Sequence, residues 1–384
     1  MARGHVRKRG NKWCAEIFIG IDENGKRKRI YISQDTKKAA EAEAAKIISE
    51  INAGGFIEPS NETFGDYLER WLESTSATVR PTTVRGYTSM IRKHFIPALG
   101  HIPLAKLRPI DLQQYYATAL KKGRKDGRGT SLSPQTVLHH HRLIHRTLEQ
   151  AVKWGLLARN VADAAEPPRV PEYNHQTWTA DESNRFLRGI RDERLYALYA
   201  TALMTGMRRG EVLGLPWENV DLDGAWISVR QALIEIKHQP VISELKSKSS
   251  KRRISIPDEL VRSLRTHRKQ QAEERLLFGP DYEDHGLVFC QPNGRLLHPH
   301  NISARKFHRL CKKAGVKQLR FHDMRHTHAS LLLARGVHPK VVADRLGHSN
   351  VDLTLNTYSH VVESVERDVA KEVDGLFSQE KEAL

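Results

Sequence analysis

The first patterned stretch of the chain reads as extended strand. Trp13-Cys14-Ala15-Glu16-Ile17-Phe18-Ile19 and Arg29-Ile30-Tyr31-Ile32-Ser33 are rich in β-branched and aromatic residues, and Asp22-Glu23-Asn24-Gly25 joins them with an Asn-Gly turn signal. An alanine-rich run from Lys37 to Asn52, closed by Gly54-Gly55, predicts a helix packed on this hairpin, a ββ(β)α unit. From Thr63 the apolar spacing becomes helical, with Phe64, Tyr67, Leu68, Trp71 and Leu72 on one face. A second helix is predicted from Pro81 to Phe95, ended by Ile96-Pro97-Ala98-Leu99-Gly100. A third starts at Pro109-Ile110-Asp111 and a fourth runs from Ser133-Pro134 to Trp154-Gly155. The result is a compact, basic four-helix domain.

Three prolines in Pro167-Pro168-Arg169-Val170-Pro171 exclude helix and sheet interior and mark a boundary. Thr179-Ala180-Asp181-Glu182 is a capping box that opens a new helix, and the remaining ~200 residues suit one large domain. This domain is predicted to hold a helix through Leu203 to Leu215, strands over Ala225 to Val229 and Arg253 to Ile256, and a helix from Ala329 to Arg335 stopped by Gly336.

Composition narrows the function. At 384 residues, with 39% hydrophobic and 28% charged positions, the chain has material for two or three globular domains. No apolar run has the ~18 residues a membrane span needs, and Met1-Ala2-Arg3-Gly4-His5 leads into no signal core, so a soluble cytoplasmic, nucleoid-associated protein is expected. Cys14, Cys290 and Cys311 lack the spacing of a disulfide framework or zinc site and are expected to be reduced. A net charge of +17 favours polyanions, and the usual cytosolic polyanion is nucleic acid. Residues 1–38 carry eleven Lys or Arg against four Asp or Glu. The hairpin is either a ribbon for a DNA groove, with Arg7, Lys8, Arg9, Lys12, Arg27, Lys28 and Arg29 as contacts, or a solvated basic tail. Lys121, Lys122 and Arg124 open a second basic segment, a glycine-rich loop that reaches Gly129.

Four segments of the second half could carry chemistry. Thr205-Gly206-Met207-Arg208-Arg209-Gly210-Glu211 sets arginines beside small residues, as a bidentate phosphate site requires; the alternative is surface pairing of Arg208 or Arg209 with Glu211. Lys246-Ser247-Lys248-Ser249-Ser250-Lys251-Arg252-Arg253 is a basic loop between strands, able to neutralise phosphates and, through a lysine, to protonate a leaving alkoxide. It reads equally as a solvated basic loop. His322-Asp323-Met324-Arg325 presents an imidazole and a guanidinium three residues apart. Leu346-Gly347-His348 and Tyr358 follow, and each alone is compatible with a C-cap and with packing.

Metal readings fail. His322-Asp323-Met324-Arg325-His326 resembles H-E-x-x-H, but it sets a cation between the ligands and lacks the glutamate base. His139-His140-His141 with His145 point in different directions without a Cys, Asp or Glu partner, and are expected on a polar helix face. No metal or other cofactor is assigned.

Arg208, the Lys246 loop, His322 with Arg325, His348 and Tyr358 occur in the order, and at about the spacing, of the catalytic set of tyrosine recombinases. Over its whole length the chain resembles a phage-type integrase of the lambda integrase family. The resemblance implies a multidomain α+β fold: an arm-type DNA-binding domain over 1–58 with a small three-stranded sheet and a helix, an all-α SAM-like core-binding domain over 60–165, and a mainly α catalytic domain with a small sheet over 173–384, of the DNA breaking-rejoining enzyme fold. Arg208 and Arg325 would stabilise the phosphoryl transition state, Tyr358 would be the nucleophile, His322 would accept or shuttle its proton, and His348 would bond a phosphate oxygen. The lysine acid would be Lys246, six residues before Arg252, with Lys248 as the rival; Lys248 and Lys251 would also meet DNA.

The resemblance further implies a site-specific recombinase that integrates and excises a prophage or conjugative transposon without metal or ATP. Its expected partners are double-stranded DNA at core-type and arm-type sites, three further copies in a tetramer on DNA, an excisionase and a host DNA-bending protein, and no membrane. The apolar spacing of Val361, Val362, Val365, Val369, Val373, Leu376 and Phe377 predicts a tail helix that docks in trans in such a ring, or else on its own domain. A chromosome or plasmid resolvase, a type IB topoisomerase-like enzyme and a non-catalytic DNA-binding regulator are the alternatives.

Overall fold

The computed structural model describes residues 3–21, 25–52, 61–124, 127, 129–171, 176–236, 239–245, 251–348, 350–352, 354–355 and 373. It divides into two compact units, Met1–Glu172 and Tyr173–Leu384, at the end of the proline-rich stretch. Among the described residues no helix is long and apolar enough to cross a membrane.

The first unit starts with an antiparallel sheet of β1 (Arg3–Arg9), β2 (Lys12–Ile21) and β3 (Arg27–Gln34), followed by α1 (Lys37–Asn52). The sequence signals located β2 and β3. Strand β1, Arg-Gly-His-Val-Arg-Lys-Arg, has one large apolar side chain and is held by its pairing with β2, Arg7 opposite Cys14. Ala15 and Ile17 are fully buried against Ala44, with Val6, Ile19, Ile32, Ile47, Ile48 and Ile51 around them. Because strand side chains alternate, Arg7, Arg9, Arg29 and Tyr31 lie on the opposite, open face. There Glu16 accepts from Arg7 at 3.5 Å and from Arg29 at 2.6 Å.

The helical part comprises α2 (Phe64–Ser76), α3 (Pro81–Met90), α4 (Ile96–Leu99), α5 (Pro109–Lys122) and α6 (Pro134–Lys153). The Thr63 and Ser133 side chains cap α2 and α6, and all five periodic positions from Phe64 to Leu72 are buried. Pro97 does not end the second helix, contrary to the sequence expectation. A π turn over Ile91–Phe95 widens the ladder ahead of it, and the helix continues to Leu99. The histidine run corrects a second expectation, since it is not a polar face. His140 is buried with its Nδ1 2.7 Å from the Tyr115 hydroxyl, and His141 Nδ1 lies 2.9 Å from that of Tyr116. His145 meets Asp163 at 2.8 Å.

The second unit runs through α7 (Ala180–Gly189), α8 (Tyr196–Thr205), α9 (Arg209–Leu213), β4 (Val220–Asp221), β5 (Trp226–Val229), β6 (Gln231–Ile236), β7 (Gln239–Glu244) and β8 (Arg252–Ser255). It continues as α10 (Asp258–Phe278), α11 (Pro299–Asn301), α12 (Phe307–Lys313), α13 (Asp323–Ala334) and α14 (Pro339–Leu346). Thr179 and Glu182 form both bonds of the capping box that opens α7. An aromatic cluster of Trp178, Phe186, Tyr199, Phe307 and Phe321 centres the core.

Two expectations are corrected here. The helix read through Leu203 to Leu215 is two helices, because Gly206 adopts φ +66° and stops α8. The strands bracketing the basic loop do pair, as β5 with β8 in a β4-β5-β8 sheet, but the chain between them also folds a separate β6-β7 hairpin. Most of the basic loop, 246–250, lies outside the described residues.

Candidate active site

The turn after α8 creates the first half of the site. A side chain at Gly206 would strike Leu346 and His328, at 2.7 and 2.8 Å, so only glycine allows α13 and α14 to approach here. Two residues on, Arg208 stands at the N-cap of α9 in extended conformation. Its backbone N–H and Nη1 donate to the Glu211 carboxylate at 2.8 and 2.9 Å, and its Nη2 donates to the Gly347 carbonyl at 3.1 Å. The Arg208 side chain remains 39% exposed, whereas Glu211 beneath it is 2% exposed. Glu211 is therefore a buried hub rather than the surface partner the sequence alternative supposed. It also accepts from Arg252 Nη2 at 2.8 Å. Burial alone would raise the Glu211 pKa, but the hydrogen bonds and charge of Arg252 and the charge of Arg208 outweigh it and hold the carboxylate below its usual range.

The second half comes from the start of α13 and the end of α14. Asp323, buried, accepts from the Arg320 backbone at 2.8 Å and from its guanidinium at 2.7 Å, which fixes the turn that presents His322. Arg325, one turn on, is buried and donates through Nη1 to the Gly206 carbonyl at 2.8 Å. Gly347, at φ +70°, ends α14 and turns the chain into His348, whose Nδ1 sits 2.7 Å from the buried Thr354 hydroxyl.

Both histidines are biased to the neutral form. Burial, then the charge of Arg325, lowers the pKa of His322. Burial, then Arg325, Arg208 and Arg252, lowers His348 to about 4. At neutral pH the site therefore holds neutral imidazoles among guanidiniums, a combination able to accept a proton and stabilise an anion.

Four of the six residues expected to act together, Arg208, His322, Arg325 and His348, are thus brought together by α8, α9, α13 and α14. Lys246 and Tyr358, and the rival Lys248, lie outside the described residues, as does the tail helix apart from Val373. Of the expected DNA contacts, Arg7, Lys8, Arg9, Lys12, Arg27, Lys28 and Arg29 are exposed, as are Lys121, Lys122 and Lys251; Arg124 is half-buried. Among the described residues no three His, Cys, Asp or Glu side chains gather as a metal site.

Sequence reasoning missed Arg252, His328 and Arg345. Arg252 begins β8 with its side chain 7% exposed and also donates through Nε to the Arg345 carbonyl at 2.6 Å. It was hidden in a run of cations. The only cue was its position at the head of an alternating apolar strand.

Residues 176–364 match the family model described as Phage integrase family, and residues 63–119 match Phage integrase, N-terminal SAM-like domain. A tyrosine recombinase XerC-like protein of Caldanaerobacter subterraneus subsp. tengcongensis is 29% identical over 94% of this chain and 95% of its own. An integrase of Saccharopolyspora erythraea is 27% identical over 95% of this chain and 94% of its own. Among solved structures, the Tn1549 transposon integrase in complex with a circular intermediate DNA superposes with a TM-score of 0.68 at 21% identity, over 81% of this chain and 99% of that one.

Proposed function

The chain belongs to the phage integrase family of tyrosine recombinases, and from that premise we propose that it is a site-specific recombinase that integrates and excises a mobile element through a 3′-phosphotyrosine intermediate. The observation that carries this reading is the convergence of Arg208 and Arg325 with the neutral His322 and His348 around the paired ends of α8 and α14. A phosphodiester undergoing displacement gathers negative charge on its non-bridging oxygens, and guanidiniums fixed in place stabilise it without reorganisation.

In the proposed step the Tyr358 hydroxyl attacks the scissile phosphorus while the bond to the 5′ oxygen breaks. The tyrosine proton passes to His322, which can accept it because it is neutral. Arg208 and Arg325 hold the phosphoryl oxygens, and His348 donates to one of them through the ring nitrogen that does not face Thr354. A lysine of the 246–251 loop, Lys246 rather than Lys248 in our assignment, gives a proton to the departing 5′ oxygen. The phosphotyrosine conserves the phosphodiester bond, so attack by a 5′-hydroxyl from another duplex reverses the step and exchanges strands without ATP.

DNA is the substrate and principal partner. The cationic open face of the β1–β3 sheet is proposed to read arm-type sites, and the helical domain with Lys121, Lys122 and Arg124 to hold the core site, with four copies assembled on DNA and the tail helix docking in trans. An excisionase and a host DNA-bending protein would complete the directional reaction in a cytoplasmic, nucleoid-associated assembly. The test is recombination between the element's two attachment duplexes by purified protein in chelator and without nucleotide. Recombinant junctions are expected, and a strict requirement for divalent metal or ATP would overturn the proposed chemistry.

A further inference from the structure

A helix leaves its last carbonyls without intrahelical partners, and those of α8 lie directly behind the site. The Gly206 N–H closes on the Ala202 carbonyl at 3.1 Å. Side chains from elsewhere then take three of the carbonyls that follow. His328 Nδ1 lies 3.0 Å from the Leu203 oxygen, Arg345 Nη2 donates to the Met204 oxygen at 3.2 Å, and Arg325 Nη1 donates to the Gly206 oxygen at 2.8 Å. Arg345 makes two further links: its Nε donates to His328 Nε2 at 3.0 Å, and its Nη2 to the Ser255 carbonyl of β8 at 3.0 Å.

The hydrogen bonds fix the state of His328. A carbonyl only accepts, so Nδ1 carries the proton. Nε2 receives the Arg345 N–H, so it is bare and the ring is neutral. His328 is buried, at 7% exposure, whereas the Arg208 side chain is 39% exposed. Its neutral ring joins α13 to the end of α8 and, through Arg345, to α14 and β8.

We infer that His328 and Arg345 form a positioning pair that sets the separation of the α8 and α14 ends, and thereby the placing of Arg208, Arg325 and His348 on the scissile phosphate. The inference rests on the recombinase reading. Its structural basis is that each site residue is seated on a backbone carbonyl or turn that the pair holds. Arg325 bonds the Gly206 carbonyl just past the α8 end; Arg208 bonds the Gly347 carbonyl two residues after Arg345; His348 follows that glycine. The Arg345 carbonyl in turn anchors Arg252, which orients Glu211 beneath Arg208. Neither member of the pair is a catalytic residue, since each acts through another side chain.

The test uses the full chain with a nicked duplex built from the junction of the circularised element, and measures single-turnover covalent adduct formation, affinity for the same duplex and thermal unfolding. His328→Leu fills the space without either hydrogen bond, His328→Gln can make both, and Arg345→Lys keeps the charge but not the fork. The pair predicts that His328→Leu and Arg345→Lys lose roughly 100-fold in adduct rate with duplex affinity retained, the scale expected of misplaced reacting groups, and that His328→Gln restores most of the rate. If His328→Leu does not fold, Arg345→Lys and His328→Gln carry the comparison. Adduct formation at the wild-type rate in Arg345→Lys or folded His328→Leu overturns the inference alone. So does loss of rate in step with loss of affinity. A wild-type chain that forms no adduct overturns the recombinase reading, and this inference with it.

Discussion

Several histidines of this protein are held neutral at pH values where free imidazole would charge, and the cause differs little between them. Burial is the first cause at His140, His328 and His348, lowering them to about 4, 3 and 4. At His328 the neighbouring Arg345 and Arg325 add to it, and at His140 the neighbours His94 and His139 do. Because the folded pKa lies below the unfolded one, the unfolded chain binds more protons between those values. The stabilisation is complete above pH ~6.5 and is lost as pH falls toward about 4. For His140, which is 1% exposed, the loss at low pH is on the order of 3 kcal/mol. His140→Gln should therefore unfold at lower temperature than wild type at pH 7.5 but show a smaller drop between pH 6.5 and 4.5, read by tryptophan fluorescence. Parallel pH profiles for the two proteins would contradict this account of His140. Single residues were also where the sequence was most uneven as a guide. Arg208, His322, Arg325 and His348 could be singled out because arginines and histidines recur at the spacing of a known family, and the structure brings the four together. Arg252, His328 and Arg345 were not, because a positioning role is defined by partners 17 to 141 residues away in the chain.

At the scale of elements, the periodic pattern was a good guide wherever one face met one core. Helices α2, α6 and α7 start where Thr63, Ser133 and Thr179 announce them, since a side-chain cap is a local interaction. The pattern failed where local preference was overridden. The apolar pattern announced neither the π turn before Pro97 nor the β6-β7 hairpin, and the cationic β1 carries too few apolar positions to signal a strand by itself. The break at Gly206 is the instructive case, because its apolar flanks, Leu203 and Leu213, suit one continuous helix, while its φ of +66° favours glycine. Gly206→Ala should cost more than the ~1–2 kcal/mol of a left-handed alanine, because the new methyl also meets Leu346 and His328. Gly336→Ala, at φ +73° with open space around it, should cost only the conformational part. Chemical denaturation of the two variants measures the difference, and equal losses would show that the close approach at Gly206 is not the cause.

For the whole molecule, the net charge of +17 favours a polyanionic partner. Within the first unit, cations lie on the open face of the N-terminal sheet and at the end of α5; within the second, Arg252 and Arg253 open β8. The division at the proline-rich stretch was legible from the sequence at this scale, because a proline boundary is read without knowledge of packing. The proposed chemistry turns on a tyrosine presented to a phosphodiester held by two arginines. The most direct test is to incubate wild type and Tyr358→Phe with a nicked duplex carrying the attachment core and resolve the products on a denaturing protein gel. A slow-migrating protein–DNA adduct is expected for wild type and none for Tyr358→Phe, with both proteins binding the duplex. An adduct of equal yield from both, or binding without an adduct from either, would contradict it.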